Sequence, residues 1–567
     1  MPDQERVPLV APATHSYNDD DDDGDGDKGA CCSMCTRRRL LLGWFVMCVA
    51  LVAATVVAVQ QGRHASAVEE RTAFYACGVV DEALDPVHVP QELYPEVKAR
   101  VEDVLPQWFN GTEALLFLQG GDVQLHFFAD TERTFWQESN FRYLSGGYER
   151  PGGAWLLCSA ALNDTVPWHP PPSQLRQHSL TCHLFVDKPT LADAIWNGKA
   201  LTLEQLRAMY TIDHIHWKDD FATVVSPVLA ALNVSEVDTM PASPQLADAL
   251  PAPLDTLTRN RTRLRDVLGE ARGVKTPTEL RLMRAAAAVG SAAHNYILRS
   301  ARKSEAEYQV EAAFVAVNTA CGLQQQSYLP IVASGPRAGT LHYNTNMQPL
   351  EADWLLVDAG ATVHGYGTDI TRTWALSGHF SSLQRQAYEV VLGAQLAGIA
   401  AYRAGNTWVN ATREAEHALL RGLLETQLVV NATFDALAET NITRVFMPHS
   451  LGHHIGLDVH DYVPGGLGRC RPSEDPLEPI ECPGTLEVGM VVTCEPGLYF
   501  IPQLLQESYA TPSLAPFLNK AAIDAFISAG VGGVRIEDVV VITQDAPDVI
   551  SSGIPKTIKQ IQHHVLS

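Results

Sequence analysis

Pro448-His449-Ser450-Leu451-Gly452-His453-His454-Ile455-Gly456-Leu457-Asp458-Val459-His460-Asp461 places four histidines within twelve residues, with Gly452 and Gly456 allowing close backbone approach. Core packing alone rarely gathers so many imidazoles, and the cluster points to a ligand-binding or proton-handling site. Upstream, Trp354-Leu355-Leu356-Val357-Asp358 reads as an apolar strand ending in an acid. Gly367-Thr368-Asp369-Ile370-Thr371-Arg372-Thr373 follows after a glycine-containing turn, so two strands can present Asp358 and Asp369 to one place. In isolation such a pair is more often a turn or cap feature. Downstream, Met490-Val491-Val492-Thr493-Cys494 is another apolar strand, and it stops abruptly at Glu495-Pro496-Gly497. Gly533-Val534-Arg535-Ile536-Glu537-Asp538 alternates, which predicts one strand with Arg535 and Glu537 on one face and Val534 and Ile536 on the other.

Four strand-borne acids and a histidine are thus available to one site. Buried together without a counter-charge they would repel one another and lose several kcal/mol of hydration per ion. A pair of divalent cations removes that difficulty. An oxygen-rich set with one imidazole suits manganese, iron, cobalt or zinc, and bridging carboxylates would hold two ions roughly 3.5–4 Å apart.

The order Asp, Asp, His, Glu, Glu, with Phe446-Met447-Pro448-His449, Leu457-Asp458-Val459-His460-Asp461, Glu495-Pro496-Gly497-Leu498-Tyr499-Phe500 and Gly533-Val534-Arg535-Ile536-Glu537, resembles the pita-bread metallopeptidases, prolidase most closely. Leu118-Gln119-Gly120-Gly121 and Gln137-Glu138-Ser139-Asn140-Phe141 are similar to words in the amino-terminal domain of prolidases and aminopeptidases P. The resemblance implies that Asp358, Asp369, His453, Glu495 and Glu537 bind two divalent ions, Mn2+ first and Zn2+, Co2+ or Fe2+ as alternatives, with Asp369 and Glu537 bridging. It implies Xaa-Pro hydrolysis through a metal-bridging hydroxide, with Glu495 also carrying a proton to the leaving proline nitrogen. His449 and His460 are expected to polarise the scissile carbonyl, His342 to touch substrate near the proline, and Arg535 to orient a ligand or a substrate carboxylate. A homodimer is the family expectation.

The favoured reading is an Xaa-Pro dipeptidase. The alternatives are aminopeptidase P activity on longer peptides, hydrolysis of a small amidine such as creatine, and a non-catalytic binding or scaffold protein of the same fold. One departure weakens strict dipeptide preference: prolidases carry an arginine shortly before Glu-Pro-Gly, and here no basic residue occurs between Arg471 and Glu495. Arg469 and Arg471 are the nearby loop cations. Neither His-Glu-x-x-His nor Gly-x-Ser-x-Gly is present.

The fold class expected is α/β (α+β): a smaller amino-terminal α/β domain at 86–255 and a pita-bread catalytic domain at 256–567. Leu115 to Leu118, Trp155 to Leu157 and His183 to Val186 read as strands bounded by Gly and Pro breakers. Pro241, Pro244, Pro251 and Pro253 mark the connection. Thr276-Pro277-Thr278-Glu279 predicts a capped helix start, and helices are expected around 305–320 and 382–403.

Residues 1–39 hold an acidic run from Asp19 to Asp23, predicting a disordered tail. Twenty uncharged residues from Leu40 to Val59 match a bilayer core, and Arg37, Arg38 and Arg39 place their amino-terminal end in the cytoplasm. This predicts a single-pass type II membrane protein with a spacer at 60–85 and a luminal or extracellular catalytic part; a cleaved signal peptide, giving a secreted form, is the competing reading. Asn110, Asn163, Asn233, Asn260, Asn410, Asn431 and Asn441 all fit the glycosylation pattern, and all follow the apolar segment. Seven cysteines also follow it, an odd number that leaves at least one outside intrachain pairs; Cys470–Cys482 and Cys158–Cys182 are the pairs considered. The net charge of −24 argues against a nucleic-acid partner. The partners expected are a proline-containing peptide, the membrane and a second copy of the chain.

Overall fold

A computed structural model describes residues 88–109, 113–128, 130–160, 179–246, 248–464 and 484–567. The acidic tail, the apolar segment at 40–59, the spacer, Asn110, Asn163, and the loop with Arg469, Cys470, Arg471 and Cys482 lie outside the described residues. Among the described residues no helix is long and apolar enough to cross a membrane.

The first half is a six-stranded sheet between two helical layers. Helix α1 (Leu93–Phe109) precedes β1 (Ala114–Gln119), α2 (Ser139–Leu144), β2 (Trp155–Ala160), β3 (Leu180–Val186), β4 (His214–Trp217), α3 (Phe221–Leu232), β5 (Glu236–Thr239) and β6 (Thr258–Asn260). The strand order is β4-β3-β2-β1-β5-β6. Leu116, Leu118, Leu156 and Leu184 pack in one cluster with Val97, Val101 and Leu105 of α1. The opposite face, Leu115, Phe117, Leu157 and Phe185, packs with Phe221, Val225 and Val228 of α3. Burial on both faces explains why these strands are continuous apolar runs rather than alternating ones. Cys158 and Cys182 are register partners joined by a disulfide, whereas Cys494 is free and buried. The sheet runs through Asn260, past the boundary expected at 255/256.

Helix α4 (Arg263–Gly273) leads into α5 (Pro277–Ser300), whose start is closed by a reciprocal box: Glu279 N donates to Thr276 Oγ1 at 3.3 Å and Thr276 N donates to Glu279 Oε2 at 2.8 Å. Then come α6 (Glu307–Ala320), β7 (Ile331–Ser334), β8 (Leu355–Asp358), the short ribbon β9 (Thr362–Val363) and β10 (Tyr366–Gly367), β11 (Thr371–Trp374), α7 (Ser382–Ala401), α8 (Trp408–Glu425), β12 (Val491–Cys494), β13 (Gly497–Tyr499), β14 (Gly533–Arg535), β15 (Asp538–Val541) and β16 (Asp548–Val549). β8 is the centre of an antiparallel triplet, with Asp358 opposite Thr371 on one side and Ile331 on the other.

The single strand expected over 533–538 is two strands. β14 pairs with β13, ending at Gly497–Arg535, and β15 pairs with β12, starting at Cys494–Asp538. Between them Glu495-Pro496 faces Ile536-Glu537, and Glu537 N instead donates to Thr371 O at 3.1 Å. Pro496 has no N–H to offer the ladder, so only the long bond from Ile536 N to Pro496 O, at 3.5 Å, joins the strands there, and the two carboxylates stand at this interruption. Gly452 brings the histidine segment against β12: a Cβ there would lie 2.1 Å from Thr493 O. All the described residues belong to one compact unit.

Candidate metal centre and active site

Asp358 ends β8, Asp369 precedes β11, His453 lies on the segment beside β12, and Glu495 and Glu537 sit in the gap between ladders. Ligand atoms of Asp369, His453 and Glu537 all lie within 4.8 Å of one another. His453 Nε2 is 3.4 Å from Asp369 Oδ2 and 3.4 Å from Glu495 Oε1. Its Nδ1 faces His454 O at 3.0 Å. A carbonyl can only accept, so Nδ1 carries the hydrogen and Nε2 is the atom presented to a cation.

The carboxylates are held by neighbours. Arg535 Nη2 donates to Asp358 Oδ2 at 2.5 Å, and its Nε donates to Thr371 Oγ1 at 3.0 Å. Thr371 Oγ1 passes its own hydrogen to Glu537 Oε2 at 2.7 Å. The other oxygen of Glu537, Oε1, is buried with no hydrogen-bond partner. A buried carboxyl oxygen without a partner, on a residue clustered with Asp369 and His453, fits a divalent cation. Arg535 and Glu537 stay on one side, 4.0 Å apart, although the strand between them is broken.

Burial, with the charge of Asp369 adding to it and Arg535 opposing, pushes Asp358 up to about 7. Burial also pushes Glu495 up to about 7 against the pull of His453. Burial and the three other carboxylates hold Glu537 well above the ordinary glutamate range. For Asp369 burial works upward, but the hydrogen bond and charge of His453 and the Tyr328 hydroxyl bring it down to about 2. For His453 burial works downward, but Asp369 and Glu495 raise it to about 9. The metal-free cluster therefore keeps protons at neutral pH that a bound cation would displace.

The remaining predicted residues converge on the same place. The His460 ring stands T-shaped to His453 with centroids 4.4 Å apart. His342 is exposed on its loop, close enough that its charge lowers both His449 and His460. His449 departs from its expected role. Its Nδ1 faces Ser450 O at 2.8 Å and its Nε2 faces the Tyr499 hydroxyl at 3.1 Å. Burial first, and Arg535 next, push it down to about 3. A neutral ring with its only hydrogen committed to Ser450 has none for an oxyanion, so His449 here accepts from Tyr499 and orients it. Tyr499 in turn accepts from Arg535 Nη1 at 3.1 Å.

Two contributors had no role in the sequence reading. Tyr328 donates to Asp369 Oδ1 at 2.6 Å and also contacts Asp358; its segment carries no motif. Tyr499 stands inside the Glu495-Pro496-Gly497 motif, four residues past the glutamate, and that spacing was the available signal.

Residues 281–544 match the model of metallopeptidase family M24, and residues 97–236 match the aminopeptidase P amino-terminal domain. A probable Xaa-Pro aminopeptidase PEPP of Ajellomyces capsulatus (strain G186AR) is 31% identical over 462 residues, covering 80% of this chain and 92% of that protein. A protein of the same description from Paracoccidioides brasiliensis (strain Pb03) is 31% identical, covering 82% and 94%. Among solved structures, proline aminopeptidase P II from Yersinia pestis superposes with a TM-score of 0.65 at 26% identity, covering 83% of this chain and 99% of that one. Aminopeptidase P from E. coli with the inhibitor Pro-Leu gives 0.66 at 26% identity, covering 84% and 99%. With Asp369, His453 and Glu537 gathered at one point and both halves matched, the chain belongs to metallopeptidase family M24, in the aminopeptidase P group.

Proposed function

We propose that this protein is a dinuclear Xaa-Pro aminopeptidase, removing the residue that precedes proline from peptides longer than a dipeptide. The observation that carries the reading is the Asp369–His453–Glu537 cluster with the orphaned Glu537 oxygen. Relatives described as Xaa-Pro aminopeptidases shift the balance from the dipeptidase reading toward the longer-peptide one. So does the sequence just before Glu495, which has no arginine to hold a dipeptide carboxylate. A groove of about 630 Å³, lined by Arg133, Phe135, Trp136, Leu246, Arg265 and Asp458, meets the histidine segment at Asp458. Comparing kcat/KM for Gly-Pro with that for Xaa-Pro-Xaa tripeptides tests this; preference for the dipeptide would restore the dipeptidase reading. The complete ligand set argues against the scaffold reading.

Divalent ions held by Asp358, Asp369, His453, Glu495 and Glu537, with Mn2+ the first choice, would supply Lewis-acid activation of water and of the scissile carbonyl. The protein's own groups do the rest. Arg535 and Thr371 fix Asp358 and Glu537. Glu495 can take a proton on Oε1 and return it to the leaving nitrogen. Thr493 Oγ1, 3.3 Å away, orients that oxygen. His460 faces the carbonyl side and Tyr499 is held by His449 and Arg535.

The type II anchor at 40–59, with the rest of the chain luminal or extracellular, belongs to the same proposal. The Arg37–Arg39 flank supports it, as does the Cys158–Cys182 disulfide, since such bonds persist in oxidising compartments. Asn233, Asn410, Asn431 and Asn441 are exposed, and Asn260 is half-buried. A glycosidase mobility shift on protein made in a secretory system tests the topology, and light scattering tests the homodimer.

A further inference from the structure

His460 hangs on a turn whose two flanking acids, Asp458 and Asp461, are both gripped by one buried cation. Arg272, at the end of α4, has a side chain only 3% exposed. Its Nη2 donates to Asp458 Oδ2 at 2.7 Å and to Asp461 Oδ1 at 2.6 Å, and its Nη1 donates to Asn140 Oδ1 at 2.7 Å. Lys275 Nζ donates to the second oxygen of Asp461 at 3.0 Å, and Ser139 Oγ donates to the second oxygen of Asp458 at 2.5 Å. The turn is closed on itself as well: Asp461 N donates to His454 O at 2.9 Å and Gly456 N donates to Asp458 O at 3.1 Å. Gly456 makes room for the charge pair, because a Cβ there would sit 2.5 Å from Asp461 Oδ2 and 3.0 Å from Lys275 Cε.

Two anions and two cations balance locally, so charge neutrality alone would not require a forked donor. What the guanidinium adds is geometry: Nη2 holds both carboxylates, two residues before and one residue after His460, while Nη1 of the same rigid plane is fixed on Asn140. We propose that Arg272 is a positioning residue for the reaction, holding His460 over His453 by clamping Asp458 and Asp461, and tying that turn through Asn140 to α2 of the amino-terminal half. This rests on the reading of His460 as a carbonyl-facing group given above.

The test is a double-mutant cycle on the full-length, manganese-loaded enzyme with an Xaa-Pro-Xaa tripeptide: Arg272→Lys, His460→Ala and both together, with metal content and thermal denaturation measured for each. Arg272→Lys keeps the charge and removes the fork. The expected result is a fall in kcat of roughly 10- to 100-fold, since misplacing a catalytic group by about 1 Å has that effect. KM and metal content should change little, and the same substitution should produce no further loss in the His460→Ala background. Should Arg272→Lys fail to fold, Asp458→Asn, whose side chain is 44% exposed, takes its place in the cycle with the same expectation. Unchanged kcat in Arg272→Lys, or an equal further fall in the His460→Ala background, would overturn the role of Arg272. A His460→Ala enzyme with full activity would instead remove the reading of His460 itself.

Discussion

The phenolic hydroxyl of Tyr328 lies 2.6 Å from Asp369 Oδ1 while also contacting Oδ1 of Asp358. Burial and the charge of Asp369 raise Asp358 to about 7, and the hydrogen bond and charge of His453 bring Asp369 down to about 2; the Tyr328 hydroxyl favours the charged form of each and ties the two carboxyls together. Tyr328 thereby orders the two acids before any cation arrives. Replacing it with Phe should weaken Mn2+ binding by roughly 10-fold, a usual cost for losing a group that orients ligands. Calorimetric titration of metal-stripped protein checks this, and wild-type affinity in the variant would contradict it.

Stability of the metal-free protein should fall between pH 7 and 9. Asp358 and Glu495 are raised to about 7 and His453 to about 9, so the folded state binds more protons there than the unfolded chain. A group with a raised folded pKa stabilises fully below its unfolded value and loses that contribution as pH rises through the folded one. Each can change stability by at most roughly 1.4 kcal/mol per pH unit. Below the unfolded histidine value, His294 and His454, lowered to about 4 and about 3 mainly by burial, work in the opposite direction, which is why the window starts at 7. Denaturant titrations at pH 7 and 9, with and without Mn2+, should show the fall only in the metal-free samples.

Glu307 is fully buried and accepts four hydrogen bonds from the segment that carries His342: Ser334 N at 3.1 Å, Arg337 Nε at 2.7 Å, Tyr343 OH at 2.8 Å and Gln348 N at 3.0 Å. Glu307→Gln puts an amide donor among donors and should cost about 1–3 kcal/mol of stability. KM for tripeptides should rise as the His342 loop loosens. A stable variant with unchanged KM would show that the loop holds itself.

Breaking the Cys158–Cys182 bond frees a loop closed over a sequence separation of 24 residues. The double Cys→Ala variant should lose about 3.5 kcal/mol by the loop-entropy argument. Wild-type protein in reductant should lose a similar amount, provided the sheet opens enough to admit it.

The strands that end at Asp358 and just before Glu495 were readable because an apolar run stopped at an acid, and the α5 start because Thr276 and Glu279 can satisfy the first-turn amides reciprocally. The break at Ile536-Glu537 was not readable from its own residues, whose period of two continues unbroken; it comes from Pro496 on the partner strand. Likewise Asp369, His453 and Glu537, which the fold gathers, stand in motifs visible in the sequence, whereas Tyr328 contributes through tertiary approach from a segment with no pattern, and the Ser450 carbonyl that faces His449 Nδ1 is a matter of local geometry. Residue type located the chemistry, and hydrogen-bond direction, which needs the fold, decided the roles.

The most direct test of the central claim is to strip metal from the protein, restore Mn2+, and follow release of the amino-terminal residue from an Xaa-Pro-Xaa tripeptide by mass spectrometry, with Asp369→Asn alongside. Cleavage before proline that disappears on stripping, returns with Mn2+ and is absent in Asp369→Asn is the predicted result. Inactivity of the wild-type protein with metal content confirmed, or activity that survives in a metal-free Asp369→Asn variant, would contradict it.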